Sequence, residues 1–226
     1  MHPHSIFFLK VSLLVGFAFS NSSYSDLVVR DVHSTGRIDS LADADALLAG
    51  FGIESESTLK MSVINFRDVD RGSTVGHFTS DNPFPNNFIG VDDDDFAIQA
   101  IGQVYIPASG VWTFGVNSDD GSRLRIGGSD IIVDDSLHAA QDRFATVNLG
   151  EGLYDLDFVF FERGGTAAVE LFAAQGSFNS FNSNFRLVGD TVSGGLGTSA
   201  VPEPNSLVVT SLLALIFGMR RRRSHR

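Results

Sequence analysis

Val111-Trp112-Thr113-Phe114-Gly115-Val116-Asn117-Ser118-Asp119-Asp120-Gly121-Ser122-Arg123-Leu124-Arg125-Ile126-Gly127-Gly128 is the stretch on which the fold turns. Trp112, Phe114 and Val116 alternate with Thr113, Gly115 and Asn117, a period of two that sends the large apolar side chains to one face of a half-buried strand. Asp119-Asp120-Gly121 has turn composition, after which Leu124 and Ile126 alternate with Arg123 and Arg125 until Gly127-Gly128 ends the run. The expectation is a β-hairpin with two adjacent carboxylates at its tip. One Asp beside the Gly is enough for such a turn, so the second anion needs something to offset the repulsion. A solvated acidic turn is one reading, and a hard cation that takes oxygen ligands, calcium above all, is the other.

Working outward, Phe96 to Ile106 reads as a strand interrupted near Gly102 by a bulge. Ile131 to Val133 is a short strand. Phe144 to Leu149 and Leu153 to Phe161 are two strands about a Gly150-Glu151-Gly152 turn, a second hairpin signal, with Tyr154, Leu156, Phe158 and Phe160 facing one way. Ala167 to Ala174 and Phe185 to Val188 follow as further strands. Nearer the start, Asp39 to Leu48 places Leu41, Ala44, Leu47 and Leu48 on one helical face, with Asp39 or Ser40 as cap and Gly50 as stop. Thr58 to Phe66 alternates as a strand. Short strands at regular spacing with frequent Gly turns indicate an all-β, antiparallel β-sandwich with one short N-terminal helix.

Between them, Arg67 to Asp95 is polar and ends in four aspartates, Asp92 to Asp95, without the alternating spacing of an EF-hand loop. A solvated acidic loop over the sandwich is expected. Pro83-Phe84-Pro85 stiffens its approach. His138 has no second His or Cys at ligand spacing, which argues against metal ligation there. Phe178 and Phe181, in Ser177 to Asn184, could stack on sugars, but satellite packing is the plainer expectation.

Ala108-Ser109-Gly110-Val111-Trp112-Thr113-Phe114, Ser118 to Leu124, Asn148-Leu149-Gly150-Glu151-Gly152-Leu153-Tyr154, Phe160-Phe161-Glu162 and Ala168-Val169-Glu170-Leu171 occur in order. Together they resemble the protective-antigen (PA-fourteen) domain family, from about Phe96 to Ala174. The resemblance implies a β-sandwich of a kind found in bacterial toxins, glycosidases and cell-surface adhesins, many of which bind carbohydrate. In the family's fungal adhesin lectins an Asp-Asp pair joined by a cis peptide holds a calcium ion that also touches sugar hydroxyls. Asp119 and Asp120 match that pair. A second loop there supplies oxygen from an Asn, and the matching position here is Glu162, followed by Arg163-Gly164-Gly165. Glu162 keeps an oxygen ligand and adds charge, while Arg163 could neutralise the cluster without metal.

Both ends of the chain carry targeting character. Residues 1–25 combine a short, weakly basic start, an apolar run from Ile6 to Phe19 and small residues before Asp26, as in a secretory signal peptide. At the other end Pro202, Glu203 and Pro204 precede an apolar run from Leu207 to Met219, closed by Arg220, Arg221, Arg222 and Arg223. This tail, residues 201–226, resembles the PEP-CTERM signal that exosortase recognises. Its apolar run would be a short transmembrane sorting helix with the basic cluster on the cytoplasmic side. The expected division is therefore signal peptide 1–25, N-terminal sandwich with helix and acidic loop 26–95, PA-fourteen-like core 96–189, a flexible Gly/Ser/Thr-rich linker 190–200, and the tail.

The whole chain of 226 residues carries a formal net charge of −11 and no Cys, which excludes a disulfide framework and thiol catalysis. Between Asp26 and Ala200 acids outnumber Lys and Arg by 26 to 10. Nucleic acid is not an expected partner, because phosphate binding needs a basic face. Adjacent carboxylates at one turn are poorly placed to flank a scissile glycosidic bond, and no Ser-His-Asp set or phosphate loop is present, so no enzyme is expected. The expected function is an exported, surface or extracellular module that binds a glycan or exopolysaccharide with calcium, the export machinery and exosortase being its processing partners. A structural component of an extracellular matrix or biofilm is the alternative.

Overall fold

A computed structural model describes residues 26–68, 76–79, 81–86 and 94–200. The expected signal peptide, the Pro202-Glu203-Pro204 motif, the Arg220 to Arg223 cluster, and Asp92 and Asp93 lie outside the described residues. Among the described residues no helix is long and apolar enough to cross a membrane.

Twelve strands and one helix follow in chain order: β1 (Leu27–Ser34), α1 (Leu41–Leu48), β2 (Ile53–Met61), β3 (Asn65–Arg67), β4 (Phe96–Ile106), β5 (Gly110–Asp119), β6 (Ser122–Ile126), β7 (Ser129–Asp134), β8 (Gln141–Leu149), β9 (Gly152–Glu162), β10 (Ala168–Gln175), β11 (Arg186–Leu187) and β12 (Thr198–Ser199). They form two antiparallel sheets. One has the order β2-β1-β4-β9-β6-β7 with β12 also on β4, and the other the order β11-β10-β5-β8 with β3 also on β10. The inward residues of both, among them Phe114, Val116, Phe158, Phe160, Val169 and Leu171, are fully buried in one shared core. This is the expected antiparallel sandwich with one helix.

Neither expected hairpin exists. β5 pairs with β10 and β8 in the smaller sheet, whereas β6 pairs with β7 and β9 in the larger. Asp119-Asp120-Gly121 is therefore a crossover from sheet to sheet. The same holds at Gly150-Glu151-Gly152, since β8 lies in the smaller sheet and β9 pairs with β4 in the larger. Turn chemistry specifies a chain reversal, and a reversal serves an inter-sheet connection as well as a hairpin. The single Thr58–Phe66 strand is also two pieces, β2 and β3, and β1 had no recognised signal.

Gly102 is not a bulge, since β4 and β9 pair without a break from Phe96↔Glu162 to Ile106↔Gly152. A Cβ at Gly102 would lie 2.5 Å from Leu27 Cδ2 and 2.8 Å from the Ser199 carbonyl oxygen, because β1 and β12 meet end to end along the β4 edge. Glycine is there for close approach. The 190–200 segment is correspondingly packed rather than a free linker. Leu196 and Thr198 are buried, and Gly189 N–H donates to the Leu196 carbonyl at 2.7 Å.

The helix begins at Leu41, capped by Ser40, whose hydroxyl accepts from Asp43 N–H at 3.2 Å. Leu41, Ala44 and Leu47 pack with Val159 and Phe161 on the outer face of the larger sheet, forming a second core. Arg123 closes that contact with a two-pronged bond to Asp45 at 2.7 and 2.9 Å. The described residues of the acidic loop are less solvated than expected. Phe84 is buried against Phe66, Phe96 and Phe160, and Asn86 N–H donates to the buried Asp31 at 2.9 Å.

Gly102→Ala is expected to cost about 1–3 kcal/mol, the range for overpacking a filled site. A lower urea midpoint at unchanged slope would show it. An unchanged midpoint would mean that the β1–β12 junction is looser than described.

Candidate functional site

The crossover sets the carboxylates of the acidic turn against β9 rather than at the tip of a β5–β6 hairpin. β6 and β9 are in register at Ser122↔Phe160, so extending the ladder by two residues sets Asp120 opposite Glu162. β10 and β5 meet at Ala168↔Asp119, which brings the start of β10 to the same rim. Gly121 allows the approach, since a Cβ there would meet Phe161 at 2.4 Å and the Asp134 carbonyl oxygen at 2.6 Å. The peptide bond between Asp119 and Asp120 is cis.

Asp119, Asp120 and Glu162 each offer a carboxylate oxygen within 4.8 Å of the others. Asp120 is held on both oxygens by backbone N–H groups, Oδ1 by His138 at 2.7 Å and Oδ2 by Arg163 at 3.1 Å. Asp119 accepts from the Ala140 N–H. Glu162 is completely buried. Its Oε1 accepts from Gly164 N–H at 2.7 Å, but its Oε2 has no hydrogen-bond partner among the described residues. A buried carboxylate oxygen without a donor is costly, and such groups call for an explanation, an ion among them.

Nearby cations are directed elsewhere. The Arg163 guanidinium points to Asp39, at 3.8 Å, so the neutralising role open to it in the sequence is not taken. His138 Nε2 and Arg143 Nε converge instead on Asp134 Oδ2, at 2.9 and 2.8 Å. Among the described residues no Lys or Arg ion pair engages the three acids. Burial, then Asp120, then Asp119, pushes the Glu162 carboxyl up to about 9. Burial and the Asp120 charge raise Asp119 to about 6.

Sequence reasoning missed Asp68, whose charge adds to both shifts. It is buried at the end of β3, and its Oδ2 accepts from Ala167 N–H at 2.9 Å. Nothing local distinguished it from the many aspartates of the acidic run. His138 contributes its backbone rather than its ring, and Asp94 accepts from Gly165 N–H at 3.2 Å, steadying the loop after Glu162. A cavity of about 620 Å³ beside the Asp190 to Ser193 turn contains none of the three acids.

A PA14 domain model matches residues 56–179, more than half of the chain. The chain belongs to the PA14 domain family. Among solved structures, the PA14 domain of the MpAFP antifreeze protein is 18% identical, with a TM-score of 0.57, covering 84% of this chain and 100% of that one. A PA14 sugar-binding domain from an RTX adhesin is also 18% identical, with a TM-score of 0.52 over 73% of this chain and 99% of its own. The epithelial adhesin 9 A domain of Candida glabrata, in complex with Galβ1-4GlcNAc, is 10% identical, with a TM-score of 0.53 over 82% and 94%. At these identities the likeness shows a shared PA14 fold. A comparison with curated proteins returns no match.

The raised acids fix a pH dependence for the PA14 domain in chelator. Unfolded Asp and Glu titrate near about 4, so the folded state binds these protons more tightly. The stability they contribute is fully present below about pH 4 and is lost as pH rises through about 6 and then about 9. The urea midpoint in chelator is expected to fall across that range, and Glu162→Gln is expected to flatten its upper part. A flat profile in the unsubstituted protein would show that the acids are not buried together.

Proposed function

We propose that this PA14 domain is an exported glycan-binding module that takes a calcium ion on Asp119, Asp120 and Glu162 and holds its ligand through that ion. The observation that carries this is the buried Glu162 Oε2, left without a donor beside two further carboxylates. Oxygen-only donors of mixed burial suit a hard, weakly directional cation, and three carboxylates supply the charge that binding needs. Asp120 is pinned by two backbone donors, so the site loses little freedom when an ion enters. An ion would also remove the repulsion that raises Asp119 and Glu162.

Support for the glycan comes from the relatives' names, a sugar-binding domain from an RTX adhesin and an adhesin complexed with Galβ1-4GlcNAc. The same names suit a cell-surface or extracellular site of action. The N-terminal segment would direct export, and exosortase would process the tail at Pro202-Glu203-Pro204 after the apolar run had held the domain at the membrane. The module is a binder and not an enzyme in this reading, since adjacent acids at one crossover leave no place for a substrate between them.

Calorimetric titration with calcium should give heat that is lost in Asp120→Asn and reduced at least tenfold in affinity in Glu162→Gln. At calcium a hundredfold above its dissociation constant the domain should gain about 2.7 kcal/mol. Disaccharide binding on a glycan array should vanish with chelator. No heat and no chelator-sensitive binding would leave a structural matrix protein. Replacing Pro202, Glu203 and Pro204 by Ala should abolish any shortening of the exported chain seen by intact-mass measurement, and identical masses would remove the sorting role.

A further inference from the structure

The outer face of the smaller sheet carries a second concave surface. β8 is its edge strand, and Asp142, Phe144 and Thr146 alternate along it. Ser177, Phe178 and Asn179, following β10, stand opposite and close a groove of about 570 Å³. That volume falls within the roughly 300–1,000 Å³ of small-ligand sites.

The lip of the groove has a composition with a mechanism. Phe178-Asn179-Ser180-Phe181-Asn182-Ser183-Asn184-Phe185 anchors itself through its phenylalanines. Phe181 and Phe185 pack on Phe172 with ring centroids 5.3 and 5.2 Å apart, and Phe178 packs on Phe185 at 5.5 Å. Thr146, Ser177 and Asn179 are exposed along the groove, neutral groups that both donate and accept hydrogen bonds. Phe144 and Phe178 are partly buried and line the groove. Two residues from Phe144 on the same strand, the Asp142 carboxylate is held in place through Oδ1, which accepts from Asn117 Nδ2 at 2.7 Å and lies 2.8 Å from the His77 ring. Its other oxygen has no partner among the described residues. Arg143, the one cation of the lining, pairs through Nε with Asp134 and donates from Nη1 to the Asp142 carbonyl, and Asp142 balances its charge within the groove.

Partly exposed aromatic rings beside neutral amides, hydroxyls and one carboxylate acceptor match the two surfaces of a pyranose, an apolar C–H face and a rim of hydroxyls. We propose that this groove is a second, metal-independent subsite for a neutral sugar unit. Asp142 is paired with Asn117, two residues along β5 from Asp119, a separation of about 7 Å at strand rise. A glycan anchored at the acidic rim can therefore continue into the groove. The inference takes its ligand class from the glycan-binding function proposed above, and extends it from one sugar unit to a chain.

The test is an array of neutral oligosaccharides from disaccharides to hexasaccharides, probed in calcium and in chelator with the unsubstituted chain, Phe178→Ala and Asn179→Ala. Asn179 is exposed, so its substitution leaves packing intact. Affinity should rise with chain length, and both variants should lower it up to about tenfold for the longer glycans, the scale of one lost aromatic contact for Phe178→Ala and of one lost hydrogen bond for Asn179→Ala. Calcium heat and disaccharide binding should not change. Weak binding of the longer glycans should survive chelator. Equal length profiles for the unsubstituted chain and Asn179→Ala would overturn the subsite while leaving the calcium-assisted reading intact. No glycan bound by the unsubstituted chain in calcium would overturn both.

Discussion

Three carboxylates drawn together under cover constrain everything else at the rim of this sandwich. At 4.8 Å, two ionised acids repel by about 3–4 kcal/mol if the effective dielectric is about 20. Three such pairs approach the whole stability of an ordinary domain, about 5–15 kcal/mol. The cluster therefore cannot stay fully ionised and unattended, and its proton affinities rise accordingly. Either protons or a cation must occupy it.

What keeps the acids together is the pair of apolar layers behind them. The central core locks β9 between β4 and β6, so Glu162 has no freedom to swing out. Helix α1 covers the other side of β9, packing on its Val159 and Phe161. Leu41 N–H donates to Asp135 at 2.6 Å, joining the helix start to the β7–β8 loop. That loop in turn supplies the His138 and Ala140 amides that hold Asp120 and Asp119. Helix, loop and acids thus form one connected support, and the tied Asp120 oxygens show its result. The outer face of the smaller sheet is organised differently. Gly115 lets Phe172 lie flat on β5, since a Cβ there would come within 2.1 Å of the ring. The aromatic cluster built on Phe172 carries the polar lip of the groove.

Much of this was legible. Period-two alternation at Trp112, Phe114 and Val116, and at Leu156, Phe158 and Phe160, gave the correct inward faces. The Leu41, Ala44 and Leu47 spacing gave the helix to within two residues. The family resemblance singled out Asp119, Asp120 and Glu162, which the fold does bring together. Illegible were the contacts that depend on partners far along the chain. Phe84 plugs the core from inside a polar run, Asp68 joins the acids from β3, and Leu196 and Thr198 pack where composition suggested a loose tether.

The sequence by itself determined which residues are extended, which faces are apolar and that two acids share one turn, because these follow from neighbours one or two positions away. Only the tertiary structure decided that both Gly-containing turns step between sheets, since backbone reversal carries no information about which strand the chain will pair with next. That choice is made by burying both apolar faces at once. It is also what turns a pair of acids at a bend into three carboxylates under cover, with one oxygen left without a donor.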